Sequence, residues 1–68
     1  MSVKLARISK NLTQSRLREI LKQNYDIGIS PNTLVQIEKG DIENIKFYIL
    51  ISISKALDTP FEELFLKK

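Results

Sequence analysis

An all-α fold of five short helices is predicted for this chain, and three observations point to it. Apolar residues recur at spacings of three and four, the central segment carries helix-ending residues at both ends, and there is no cysteine. With neither a disulfide nor a Cys-based zinc site available, helix packing must carry the stability. At 68 residues there is room for one domain, covering 1–68. A chain of this length buries only about 60% of its unfolded surface, so its core is small and must be efficient.

The first helix is expected over roughly Val3 to Lys10, with Asn11 as its terminator. The second opens at Thr13, a good N-cap, and presents Leu17, Ile20 and Leu21 on one face. The third is the most sharply marked. Ser30 caps its first free N–H groups, Pro31 suits a first position that has no N–H to lose, and Gly40 takes the left-handed conformation that ends it. Within it, Leu34 and Ile37 fall on the buried side. Phe47 to Leu57 is rich in β-branched residues, which argues for a strand. Its length and the register Phe47, Leu50, Ile51, Ser54, Leu57 argue for a helix, and a lone strand would have no partner. The fifth helix is expected from Thr59 or Pro60, where Thr59-Pro60-Phe61-Glu62 resembles a capping box. Phe61, Leu64 and Phe65 would then close the core from below.

With Leu34 and Ile37 inward, the third helix turns Asn32, Thr33, Val35, Gln36 and Lys39 outward. Asn and Gln side chains bond bidentately to adenine in the major groove, so this face suits reading base edges. Pro31 and Val35 either touch a thymine methyl or are neutral. The net charge of +3 is unevenly spread. Residues 1–24 carry Lys4, Arg7, Lys10, Arg16, Arg18 and Lys22 against Glu19, a local +5, while residues 25–45 come to −3. The basic third either attracts phosphates or is an ordinary solvated surface.

Three blocks, in order and spanning nearly the whole chain, carry a resemblance. They are Val3-Lys4-Leu5-Ala6-Arg7 with Asn11-Leu12-Thr13-Gln14; Ile29-Ser30 through Gly40; and Ser54-Lys55-Ala56-Leu57-Asp58 with Phe61-Glu62-Glu63-Leu64-Phe65. In these the chain resembles Cro/C1-type helix-turn-helix proteins, the lambda repressor-like family of small bacterial and phage DNA-binding domains. The resemblance implies that the second and third helices form the motif and that the third enters the major groove. It implies base reading by Pro31, Asn32, Thr33, Val35 and Gln36. It favours Gln14 as a phosphate ligand at the positive end of the second helix, over an ordinary exposed first-turn residue. Arg16, Lys39 and Lys46 are the other phosphate candidates, with Arg18 and Lys22 behind them. It also implies a structural pair, in which Arg7 grips Glu38 and fixes the third helix against the first.

Four features depart from the family pattern. About six extra residues, Lys22 to Ile27, precede Gly28, giving an extended connection in the helix-turn-helix. Either the second helix runs a turn longer or the loop does; a helix ending near Tyr25, with Tyr25 and Ile27 packed beneath the loop, is favoured. Arg18 stands where alanine is usual, and the longer connection lets it reach solvent or phosphate. Pro31 replaces a residue that is often polar. Asp41 and Glu43 place acids where the loop would run beside the DNA backbone, leaving phosphate work there to Lys39 and Lys46.

Enzyme chemistry is not expected. There is no His or Cys for acid–base or thiol chemistry, no Gly-rich phosphate loop and no carboxylate cluster at metal-ligand spacing. No cofactor, metal or small-molecule substrate is therefore expected. Lys4 and Arg7 interrupt any signal-peptide run, and the longest apolar stretch, Phe47 to Ile51, is far short of the ~20 residues of a membrane span. A cytoplasmic location fits.

The expected function is a sequence-specific DNA-binding transcriptional regulator, a bacterial or phage repressor in kind. Its partners would be double-stranded DNA and a second copy, at least on DNA. Two alternatives are a repressor-like fold used as a protein-interaction module, and the antitoxin of a toxin–antitoxin pair. Dimer contacts would come from Phe65 and Leu66 of the last helix, unless these merely finish the core, or from the side of the fourth helix near Tyr48 and Ile49.

Overall fold

Three hydroxyl side chains start the first three helices. In the computed structural model, which describes residues 1–66, Ser2 accepts from the Leu5 N–H at 3.1 Å, Thr13 from the Arg16 N–H at 3.0 Å and Ser30 from the Thr33 N–H at 3.1 Å. They open α1 (Val3–Ser9), α2 (Gln14–Tyr25) and α3 (Pro31–Glu38), the last with Pro31 in its first turn as expected. Two more helices follow, α4 (Phe47–Ala56) and α5 (Phe61–Phe65). The architecture is all-α with five helices, as expected, and no strand occurs among the described residues.

Left-handed residues close four of the helices. Asn11, Asp26, Asp58 and Gly40 all have positive φ, directly after or one residue beyond a helix end. Asn and Asp tolerate this conformation because their short polar side chains bond locally. After α1 the Leu12 N–H reaches back to the Arg7 carbonyl oxygen at 3.1 Å, and after α4 the Thr59 N–H reaches the Ser54 carbonyl oxygen at 3.1 Å. Carbonyl groups that the helix leaves orphaned are satisfied in this way.

The core is built on α2, which packs against both α3 and α4, while α1 lies on α3 and α5 on α4. Leu17, Leu21, Leu34, Ile37, Ile53 and Leu57 are fully buried at its centre, with Val3, Ala6, Ile27, Leu50 and Leu64 around them. The connection after α2 is extended as expected. The helix ends at Tyr25, Ile27 is buried, and Tyr25 and Ile29 lean on the core. Arg18 has a role that was not expected: its Nε donates to the Ile29 carbonyl oxygen at 3.0 Å and ties the connection down.

Two local expectations are corrected. The buried register of α4 is Leu50, Ile53, Ser54 and Leu57; Ile51 is only half-buried and Phe47 is 63% exposed. Phe47 lies in the first turn of α4, beyond the edge of the core, where it meets the Phe61 ring edge-on with centroids 5.2 Å apart. Buried Ser52 and Ser54 donate to the Tyr48 and Ile51 carbonyl oxygens, both at 2.8 Å, so neither hydroxyl is stranded. The capping box before α5 does not form. Thr59 donates instead to the Leu57 carbonyl oxygen at 2.9 Å, and α5 follows Pro60 with no side-chain cap. Its position just after α4 commits Thr59 to closing that helix. Phe61 and Phe65 are half-buried around Leu64, and Leu66 is exposed.

Candidate nucleic-acid interface

The orientation of α3 is set from inside the protein. Arg7, buried on the inner face of α1, donates from Nε to Glu38 Oε2 at 2.6 Å and from Nη2 to Glu38 Oε1 at 3.4 Å. Its Nη1 donates to the Leu12 carbonyl oxygen at 2.8 Å. The paired side chains are only 9% and 6% exposed. A guanidinium fork gripping one carboxylate with two bonds fixes angle as well as distance, so the last turn of α3 is clamped to α1. The structure thus brings Arg7 and Glu38 together in a two-bond contact.

Gln14 joins that clamp. At the first position of α2, it donates from Nε2 to Glu38 Oε1 at 2.9 Å. One carboxylate therefore collects donors from both α1 and α2, and all three helices of this half of the molecule meet at the end of α3. This bond is additional to the phosphate role that the resemblance implies for Gln14. A second Nε2–H remains for a phosphate at the α2 N-terminus, where the helix dipole favours an anion.

Because Leu34 and Ile37 are inward, the opposite face of α3 is turned out. Pro31 and Asn32 are exposed, Val35 is at the margin of exposure, and Thr33 and Gln36 are half-buried. Asn32 and Gln36, four residues apart, share one stripe of the helix. The Thr33 hydroxyl lies 2.9 Å from that of Ser30, so it is partly engaged in the cap. Gln36 is engaged as well, its Nε2 donating to Asp41 Oδ2 at 3.3 Å. That contact was not anticipated from the sequence. Gly40 was the signal for it, since a glycine-terminated helix folds the next residue back against the helix's last turn.

The cations expected to meet phosphate differ in state. Arg16, in the first turn of α2, is half exposed and ion-paired with Glu19 three residues on. Lys39, at the end of α3, and Lys46, just before α4, are both exposed. Between them the loop exposes Asp41 and Glu43. Among the described residues there is no cluster of metal-ligating side chains, and no helix is long and apolar enough to cross a membrane.

The family model described as Helix-turn-helix matches residues 3–64, which takes in α1 to α4 and all of α5 but its last residue. No curated protein and no solved structure matches the chain.

Proposed function

From the premise that this chain belongs to the Cro/C1-type helix-turn-helix family of DNA-binding domains, we propose that it is a sequence-specific transcriptional regulator of bacterial or phage origin. In this reading residues 1–68 are one DNA-binding domain that acts in the cytoplasm. Asn32, Thr33 and Gln36 read base edges, while Pro31 and Val35 rest on thymine methyl groups. Gln14, Arg16, Lys39 and Lys46 hold phosphates on either side of the groove. The observation that carries the reading is the outward, uncharged-polar face of α3, presented by a helix whose inner end is clamped through Glu38.

A gel shift against genomic fragments over a salt series tests it. Specific retention of a few fragments is expected, weakening steeply as salt rises because each neutralised phosphate releases counterions. Lys39→Ala should weaken all sequences about equally and flatten the salt dependence by roughly one unit of slope. The same experiment separates the second reading, a fold kept as a protein-interaction module. Asp41 and Glu43 on the loop and the exposed Phe47 and Tyr48 on α4 favour that reading. It requires that no fragment be retained at any salt concentration.

One α3 covers only a few base pairs, so operator-level choice needs two copies about one DNA turn (~34 Å) apart on a two-fold-symmetric site. The apolar surface for such a contact is Leu66 and the half-buried Phe65 at the end of α5, or exposed Tyr48 beside half-buried Ile49 on α4. Either patch is small, so the free protein should be largely monomeric and DNA should supply the rest. Sedimentation with an operator duplex is expected to give two proteins per site. Saturation at one protein on a sequence without two-fold symmetry would contradict it.

A further inference from the structure

The turn at Gly40 does more than end α3. With Gly40 at φ 86°, its N–H donates to the Ile37 carbonyl oxygen at 3.0 Å and the Asp41 N–H donates to the Gln36 carbonyl oxygen at 3.1 Å. This pair of bonds brings the residue after the glycine against the residue five before it, a position pair often filled by two apolar side chains. Here it holds an amide and a carboxylate, joined by the bond from Gln36 Nε2 to Asp41 Oδ2 at 3.3 Å.

An ionised carboxylate only accepts hydrogen bonds. Gln36 must therefore meet Asp41 with Nε2, since the flipped amide would set one acceptor against another. The atoms left for a base are Oε1 and the second N–H on Nε2. Adenine matches them, because its N6–H donates to Oε1 and its N7 accepts from Nε2. Guanine does not, because its O6 is an acceptor and would face Oε1.

We propose that Asp41 is a positioning residue for base choice: by holding the Gln36 amide in one orientation, it makes that position prefer adenine over guanine. The inference rests on the base-reading role proposed above for Gln36. Asp41 also repels phosphate, but that effect weakens every sequence alike and cannot discriminate between bases. Glu43 serves as the control. It lies two residues along the same loop with the same charge, and among the described residues it bonds to no side chain of α3.

The experiment is selection of bound duplexes from a random library, followed by titration of matched duplexes, for the parent, Gln36→Ala, Asp41→Asn, Glu43→Gln and the Asp41→Asn/Gln36→Ala double variant. Gln36→Ala identifies the base pair that Gln36 reads. Asparagine is close to isosteric with aspartate, but its amide both donates and accepts, so it accommodates either orientation of Gln36. At that pair Asp41→Asn should therefore lower the adenine-over-guanine preference about tenfold, with other positions unchanged. The double variant should match Gln36→Ala alone, and Glu43→Gln should strengthen all duplexes alike. A uniform shift for Asp41→Asn, like that of Glu43→Gln, overturns the positioning role while leaving the base-reading role intact. If Gln36→Ala changes no position, the base-reading role fails and the inference fails with it.

Discussion

Arg7→Met and Glu38→Leu should each destabilise the fold by ~3–5 kcal/mol, while the double variant recovers a large part of the loss. Either single substitution strands a charge where its partner was, at a site where the two side chains are only 9% and 6% exposed. Glu38→Leu also leaves Gln14 Nε2 without its acceptor, whereas Arg7→Met leaves the Leu12 carbonyl oxygen without its donor. A small domain has a total stability of roughly 5 kcal/mol or a little more, so either variant should be substantially unfolded near room temperature. The double variant replaces a desolvated ion pair with apolar contact, a change that is often close to neutral. Thermal melts of the three variants beside the parent measure this directly. Two single variants that melt with the parent would show that the clamp contributes nothing to stability.

Asn32→Ala and Gln36→Ala should leave the melting temperature nearly unchanged and each weaken binding to the preferred site by ~1–3 kcal/mol. Both side chains sit on the outer stripe of α3, and surface changes of this kind usually move stability by less than about 0.5 kcal/mol. A bidentate bond to a base edge, in contrast, is lost outright with the amide. Binding to unrelated sequences depends on phosphate contacts, so it should hardly move, and discrimination should shrink at the affected base pair alone. Titration of matched and mismatched duplexes at fixed salt reads both quantities. Equal loss on every sequence would assign these residues to positioning instead of reading.

Several helix ends in this chain were legible from sequence because they depend on neighbours within four residues. Ser30, Pro31 and Gly40 bracket α3 in the structure as their local chemistry predicts, and Thr13 opens α2 with a real hydrogen bond. Packing choices were less legible. In α4 seven of the ten residues are apolar or aromatic, so periodicity could not rank Ile51 against Ile53; in a helix that packs on both α2 and α5, Ile53 is the one fully buried. The box at Thr59 failed because one hydroxyl was eligible for two helix ends and closed α4. At the candidate interface the outward set on α3 followed from Leu34 and Ile37. The Arg7–Glu38 pair came from family resemblance, since nothing local joins residues 31 apart. The bonds from Gln14 to Glu38 and from Gln36 to Asp41 depend on how helices meet and on where a turn folds back, so residue types alone did not reveal them.

Glu38 gathers Arg7 from α1 and Gln14 from α2, and Arg7 in turn gathers the Leu12 carbonyl oxygen, so α3 is not a portable part. A graft of residues 30–40 onto another scaffold would carry the outward side chains and leave a buried carboxylate with neither donor. Under the proposed reading, DNA choice is open to redesign at positions 32, 33, 35 and 36, provided that Arg7, Gln14 and Glu38 stay as they are. A single helix thus carries both kinds of position: residues turned outward, and one residue at its inner end, Glu38, that ties it to α1 and α2.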